Sequence, residues 1–320
     1  MFTIIYFRNE NWVIEMNLAI NRVNEFQTGT LAILFASILW GTTGTAASFA
    51  PDLSPLAIGA FSMGVGGLMQ AGLAYRKILF AFDKLLQNKK LLTVSALALA
   101  IYPLAFYSSM KLSGVAIGTV VSIATAPFFS ALLECLISKK NNINKRWLTS
   151  FAIGVVGIGL LVFSESSSTN ESGDDLKLFG IALGLLAGLC YAIYSWATKA
   201  LIDKGIKSQA AMGSIFGLGA MLLLPTLWFT GENLFSSQIN VLVISYLTLI
   251  PQCLGYIAFS FGLRHVTASS ANLLTLFEPV VAAVLAVCVV GELIPFTGWL
   301  GMSLIVLCLF IQSKPSKGTL

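Results

Sequence analysis

The stretch Gly29-TLAILFASILW-Gly41 returns about 152 residues later as Gly180-IALGLLAGLCY-Ala192, setting Trp40 against Tyr191. A second pair keeps that spacing: Ala126-Pro127-Phe128-Phe129 and Glu278-Pro279-Val280-Val281. With no gap between, Trp147 then falls on Trp299. The chain is therefore read as a duplication. Each copy opens on an apolar run long enough to cross about 30 Å of hydrocarbon as a helix.

Outward from these landmarks, ten such runs are predicted, at 29–49, 56–75, 91–110, 115–137, 147–163, 178–198, 210–229, 241–263, 267–290 and 294–311. Strands are not expected, because barrel strands are shorter and alternate apolar with polar residues. Five spans per copy is an odd number, so the second copy must enter the membrane upside down. The expected fold class is thus an all-α integral membrane protein, ten transmembrane helices arranged as two inverted five-helix repeats. The division is a cytoplasmic extension (1–27), a first repeat (28–163), an external acidic loop (164–177), a second repeat (178–312) and a cytoplasmic tail (313–320). The extension is read as a weak interfacial helix or as disordered, with Met16 an alternative start to Met1.

Composition agrees. Of 320 residues 57% are apolar and only 10% are charged, against about one quarter charged in a soluble domain. Mean hydropathy is +0.85. So little polar surface cannot face water all round; the solvent must be largely lipid. A net charge of +5 scattered over short connections makes no basic face, so no nucleic-acid partner is expected. Cys135, Cys190, Cys253, Cys288 and Cys308 lie in apolar runs without a CxxC pair, and His265 is the one histidine. No metal site, cofactor or histidine-based catalysis is expected, and the chain is not read as an enzyme.

Charge also sets the orientation. Seventeen of the 19 Lys and Arg residues fall in the two termini and every second connection, leaving Lys111 and Lys177 on the other side. Glu165, Glu171, Asp174 and Asp175 lie in the longest loop of that other side. Both termini are therefore expected in the cytoplasm. Lys139, Lys140, Lys145 and Arg146 align with Gly291, Glu292, Thr297 and Gly298, so the same loop loses its basic residues when it faces outward. Inverted repeats of this kind are common among secondary transporters, with the solute near the midplane.

The run Leu276-Phe277-Glu278-Pro279-Val280-Val281-Ala282-Ala283-Val284, then Gly291-Glu292-Leu293 and Gly298-Trp299-Leu300-Gly301, resembles the end of an EamA repeat. The opening Gly29…Leu39-Trp40-Gly41 resembles its start. The region 28–312 is similar to the ten-helix EamA-type exporters of the drug/metabolite transporter superfamily. The resemblance implies export of amino acids, other metabolites or drugs from a bacterial cytoplasm across the inner membrane. The first copy departs from the motif: Ala126 stands where the second has Glu278, and Lys140 where it has Glu292.

Glu278 is the sharpest candidate, an acid near the middle of a span beside the helix-breaking Pro279. A charge there costs roughly 2.5–3.5 kcal/mol on insertion scales, so it is read as a coupling or cation-binding group, or else as a protonated or locally hydrogen-bonded acid that holds the bend. Pro127, Pro251 and Pro279 are read as hinges. Glu134, about a turn from the basic end of its span, is read as reaching the interface or pairing with Lys139 or Lys140, a structural role.

The candidate solute-binding residues are Trp40, Gln70, Tyr102, Tyr191, Tyr194, Gln252, Tyr256, Asn272 and Thr275. Trp40 and Tyr191 lie near mid-depth at repeat-equivalent positions and are expected to face each other across an aromatic-walled cavity; packing explains them as well. Ser269, Asn272 and Thr275 form a polar stripe that lines a path or joins helices. Gly180, Gly184 and Gly188 are expected to pack spans within the chain.

The reading is a secondary exporter of amino acids or related small organic metabolites working by alternating access, embedded in lipid as a monomer or homodimer. The alternatives are efflux of cationic drugs, with Glu278 as counter-charge, or a channel or scaffold that does not cycle.

Overall fold

The computed structural model describes residues 2–140, 143–164, 174–291 and 293–314. Residues 165–173 of the acidic loop, Glu292 and 315–320 of the tail lie outside the described residues. Everything regular in the described residues is helical, as expected of a backbone that must satisfy its own polar groups in lipid.

In chain order the helices are α1 (Phe2–Ser48), α2 (Pro55–Phe80), the short α3 (Phe82–Gln87), α4 (Lys89–Ser113), α5 (Val115–Leu136), α6 (Lys145–Ser164) and α7 (Asp174–Asp203). They continue as α8 (Ser208–Leu223), α9 (Leu227–Thr230), α10 (Gln238–Leu247), α11 (Tyr256–Gly262), α12 (Ala268–Leu274), α13 (Phe277–Leu285) and α14 (Phe296–Gln312). Eight helical segments among the described residues are long and apolar enough to cross a bilayer, and Phe296–Gln312 is a shorter apolar helix. The protein is an integral membrane protein.

Three spans are not plain helices. A 3₁₀ turn at Leu224–Thr226, opened by Pro225, separates α8 from α9. A π-helical stretch, Thr248–Gly255, contains Pro251 and joins α10 to α11. The span that carries Glu278 breaks between α12 and α13, with Pro279 in the first turn of α13, where its missing N–H leaves no bond unmade. By contrast α5 runs unbroken through Pro127.

Of the two readings of the N-terminal segment, a weak helix or disorder, the structure has a helix. From Phe2 onward it is helical and continuous with the first span. No Gly or Pro interrupts the chain before Gly29, so nothing in the backbone stops the helix.

The main packing partners are α4 with α7, α2 with α8, α6 with α14, α5 with α7, and α1 with α13 and α11. Helix α5 also packs against α12. Close approach is made by small residues: a Cβ on Gly180 would sit 2.7 Å from the Ser113 nitrogen, and one on Gly184 2.8 Å from Ser109 Oγ. Gly180 and Gly184 of α7 therefore lie against α4, and Gly188 against α5, where a Cβ would sit 2.7 Å from the Ser122 carbonyl, so these glycines pack spans within the chain. The interior holds Ile33, Leu99, Ile158, Tyr194, Phe216 and Phe259, while Leu73, Phe80, Trp228 and Phe229 are exposed. Apolar residues on both faces are what a lipid-facing surface requires.

At the end of the molecule where α5, α7 and α12 meet, Lys140 and Lys199 reach Asp203 at 2.8 and 3.1 Å. The Glu134 carboxylate accepts from Ser269 on α12. It is 4% exposed, so it lies inside the helix bundle and meets the start of α12 there.

Candidate functional site

The break-and-bulge geometry of the second half positions an aromatic cluster. Trp40 projects from α1 onto the π-helical stretch, where its indole N–H donates to the Pro251 carbonyl at 2.9 Å. Gly255 makes room for it, since a Cβ there would sit 2.8 Å from the indole nitrogen. Gln70 of α2 reaches the same stretch from another side and donates through Nε2 to the Gln252 carbonyl at 2.9 Å. Two residues named from sequence thus serve to hold the widened backbone around Pro251.

From Trp40 the rings run on without interruption. Trp40 lies 4.7 Å from Tyr256 and 5.4 Å from Phe259, centroid to centroid. Tyr256 contacts Phe216 at 4.4 Å and Tyr194 at 6.2 Å. Tyr194 contacts Tyr191 at 5.2 Å and Tyr102 at 6.0 Å, and Tyr191 and Tyr102 are 5.6 Å apart. Such offset and tilted pairs are the favoured arrangements of rings. Trp40 and Tyr191 do not face each other directly: Phe259 touches both, at 5.4 and 6.5 Å.

Polar contacts tie the cluster to the polar stripe. The Tyr194 and Tyr256 hydroxyls are 2.9 Å apart, and Tyr191 donates to Thr275 Oγ1 at 3.2 Å. Thr275 in turn donates to the Asn272 carbonyl. The Asn272 amide donates to Ser130 Oγ at 2.7 Å and to Ser195 Oγ at 2.8 Å, joining α12 to α5 and α7. The Asn272 Oδ1 and Gln252 Oε1 atoms are buried with no protein partner among the described residues.

One edge of the cluster is open. Tyr102, Phe106, Tyr107, Phe277 and Glu278 are half-buried, whereas Tyr194, Phe259, Asn272 and Thr275 are fully buried. Glu278 stands at that edge on α13, which packs against α1 beside Trp40. Among the described residues its carboxylate has no ion-pair partner. Helix α1 crosses closely here, since a Cβ on Gly41 would lie 2.9 Å from the Glu278 carbonyl.

The structure therefore brings Trp40, Tyr102, Tyr191, Tyr194, Tyr256 and Thr275 into one cluster with Glu278 at its rim, and Asn272 directly beneath. Phe216, Phe259, Ser130 and Ser195 were not singled out from sequence. Phe259 follows Tyr256 by three residues and Ser195 follows Tyr191 by four, so helical spacing from a named residue is the signal that finds both. A separate cleft of about 420 Å³, lined by Thr42, Thr45, Phe49, Leu242, Tyr246 and Leu285 among others, shares no lining residue with the cluster.

The EamA-like transporter family model matches this chain twice, over residues 27–163 and 178–313. The chain belongs to the EamA-like transporter family. Both EamA-like segments build the cluster: Trp40, Gln70 and Tyr102 come from the first, and Tyr191, Tyr194, Tyr256 and Glu278 from the second. Among relatives, "Uncharacterized transporter YwfM" of Bacillus subtilis (strain 168) is 32% identical over 294 residues, covering 90% of this chain and 95% of its own. "Uncharacterized inner membrane transporter YicL" of Salmonella typhimurium is 25% identical over 300 residues, covering 90% and 96%. A protein of solved crystal structure has the same fold, with a TM-score of 0.72 at 16% identity, covering 88% of this EamA-like chain and 95% of its own.

Proposed function

We propose that this chain is a ten-span secondary transporter of two inverted five-helix repeats that exports amino acids or related small organic metabolites by alternating access. The observation that carries the reading is the doubled family match, with one copy on each side of residues 164–177. In this reading α6 and α14 are the fifth span of each copy.

The helix pairs support a two-fold relation between the copies. It sends α2–α8, α6–α14 and α5–α12 each onto itself, and sends α4–α7 onto the contact of α1 with α10 and α11. The odd span number and the swap of basic residues between equivalent loops argue for inversion. The basic asymmetry places both termini in the cytoplasm, and the Salmonella relative's printed name supports the inner membrane.

The packed aromatic cluster lies where the two copies meet, and its open rim at Glu278 is where a solute first meets both. Breaks before Pro279 and around Pro251 supply joints at which α12, α13, α10 and α11 shift as the halves rock. Glu278 is assigned the exchange of a proton with the transport cycle.

Counterflow in proteoliposomes tests the reading. A carrier that returns loaded accumulates labelled solute transiently against an unlabelled internal pool, whereas a channel only equilibrates it. Candidate solutes come from comparing metabolites in the medium of overproducing and deletion cells. Glu278→Gln is expected to abolish uphill, proton-driven transport while exchange survives. Uphill transport by this variant at the wild-type rate would return Glu278 to a structural role beside a helix break.

A further inference from the structure

We infer that the face where the α2–α4 and α7–α8 connections meet binds the phosphate headgroup of an anionic phospholipid, which thereby bridges the two EamA-like segments.

Both connections join the ends of helices long and apolar enough to cross a bilayer. The first carries Arg76, Lys77, Lys84, Lys89 and Lys90, with Asp83 as its one acid. The second carries Lys204 and Lys207, and Asp203 beside them is engaged by Lys140 and Lys199. Folding brings the two sets together. Lys204 Nζ donates to Asn88 Oδ1 at 2.5 Å, and Lys77 Nζ donates to Gln209 Oε1. A Cβ on Gly205 would lie 3.5 Å from Lys84 Nζ. These neighbours are two neutral amides and a glycine. Among the described residues none of these basic side chains stands in an ion pair. Like charges held together repel one another, so the face attracts an anion from outside the chain.

The apolar flank says which anion. The short α3 buries Leu85 and leaves Phe82 and Leu86 exposed on either side of Lys84. Phe80, at the end of α2, is 88% exposed. Large apolar side chains open beside ammonium groups suit the boundary of a bilayer, where rings enter the acyl chains and cations reach the phosphates. A free anion in water would leave those rings uncovered. A phosphate has several acceptor oxygens, so one headgroup can accept from a lysine of each connection. The first connection lies in the segment 27–163 and the second in 178–313, so such a headgroup ties one to the other.

The test is the thermal midpoint of the purified full-length protein in neutral detergent with phosphatidylglycerol, phosphatidylcholine of the same acyl chains, or inorganic phosphate. Phosphatidylglycerol is expected to raise the midpoint by at least about 3 °C more than phosphatidylcholine, with the advantage shrinking at high salt. Inorganic phosphate is expected to have little effect. Lys84→Gln combined with Lys204→Gln is expected to remove most of the advantage. Lys111→Gln combined with Lys177→Gln, in the other set of connections, is expected to keep it. Equal shifts from the two lipids would overturn the inference, as would a shift from inorganic phosphate as large as that from phosphatidylglycerol, or equal losses in the two double variants. Should the Lys84 and Lys204 variant not fold, a phosphatidylglycerol with a photoreactive headgroup decides the matter on the unsubstituted protein. Labelling is expected to concentrate in residues 76–90 and 203–207, and labelling concentrated elsewhere would overturn the assignment.

Discussion

The Glu134 carboxylate on α5 accepts from the Ser269 hydroxyl at 2.6 Å and from the Ser269 backbone N–H at 3.2 Å, at the first turn of α12. A buried acid from the first copy thereby holds the start of a helix in the second. The repeat-equivalent positions, Ala286 and Ile117, are apolar, so this particular polar tie exists at one end of the α5–α12 seam. Glu134→Ala leaves the Ser269 donors without this acceptor and is expected to lower stability by about 1–3 kcal/mol. In a cycle with Ser269→Ala, a coupling of roughly 0.6–1.7 kcal/mol is expected. Additive losses in a reversible unfolding assay would mean that the two side chains act independently.

Trp40 and Gly255 form a lock that a single methyl group should open. Gly255→Ala places a carbon within 2.8 Å of the indole nitrogen and must displace it from the Pro251 carbonyl. Overpacking of this kind costs about 1–3 kcal/mol. The variant is expected to lower both the thermal midpoint and transport, and pairing it with Trp40→Phe, which shrinks the ring, is expected to recover part of the midpoint. No recovery in the double variant would show that Gly255 is needed for another reason.

Topology is open to direct measurement. Reporter fusions that are active in the cytoplasm are expected to work after Lys84, Asn142 and Lys317, and fusions active outside are expected to work after Ser168. The 17 basic residues in one set of connections against two in the other drive this expectation. An external C-terminus would rule out both the ten-span count and the inverted pairing.

His265 sits between α11 and α12, outside the long apolar segments, with Nδ1 3.8 Å from Glu25. Burial, and then the Arg264 charge with a lesser push from Lys199, holds its imidazole below the ordinary value of 6.5, against the opposing pull of Glu25. The folded ring therefore binds a proton less readily than the unfolded chain does. Its contribution to stability is present above pH of about 6.5 and is lost as pH falls below that value. The thermal midpoint is expected to fall between pH 7.5 and 5.5, and to fall less in His265→Gln. Equal falls in the two proteins would assign the effect to other groups.

Residue type and spacing alone determined that this chain lives in lipid, that it is helical, and that it is built from two related copies. Those features are local or additive: an apolar run must become a helix in a bilayer, and a duplication survives as matching intervals around Trp40, Tyr191, Pro127 and Pro279. The polar positions Gln70, Tyr191, Tyr194, Tyr256, Asn272 and Thr275 were also visible, because hydroxyls and amides stand out in apolar segments. What they touch was not. Glu134 sits near Lys139 and Lys140 in the chain, yet the packing of α5 on α12 gives it Ser269, a partner 135 positions away. Phe259 reads as one more apolar residue until α1, α7 and α11 converge and place it between Trp40 and Tyr191. The proline effects divide in the same way. Pro127 and Pro279 look alike in sequence, but α5 passes through the first while the second span breaks ahead of the other. Whether a proline bends or interrupts a helix depends on which neighbours take up the freed carbonyl and fill the gap, and only the assembled bundle supplies those neighbours.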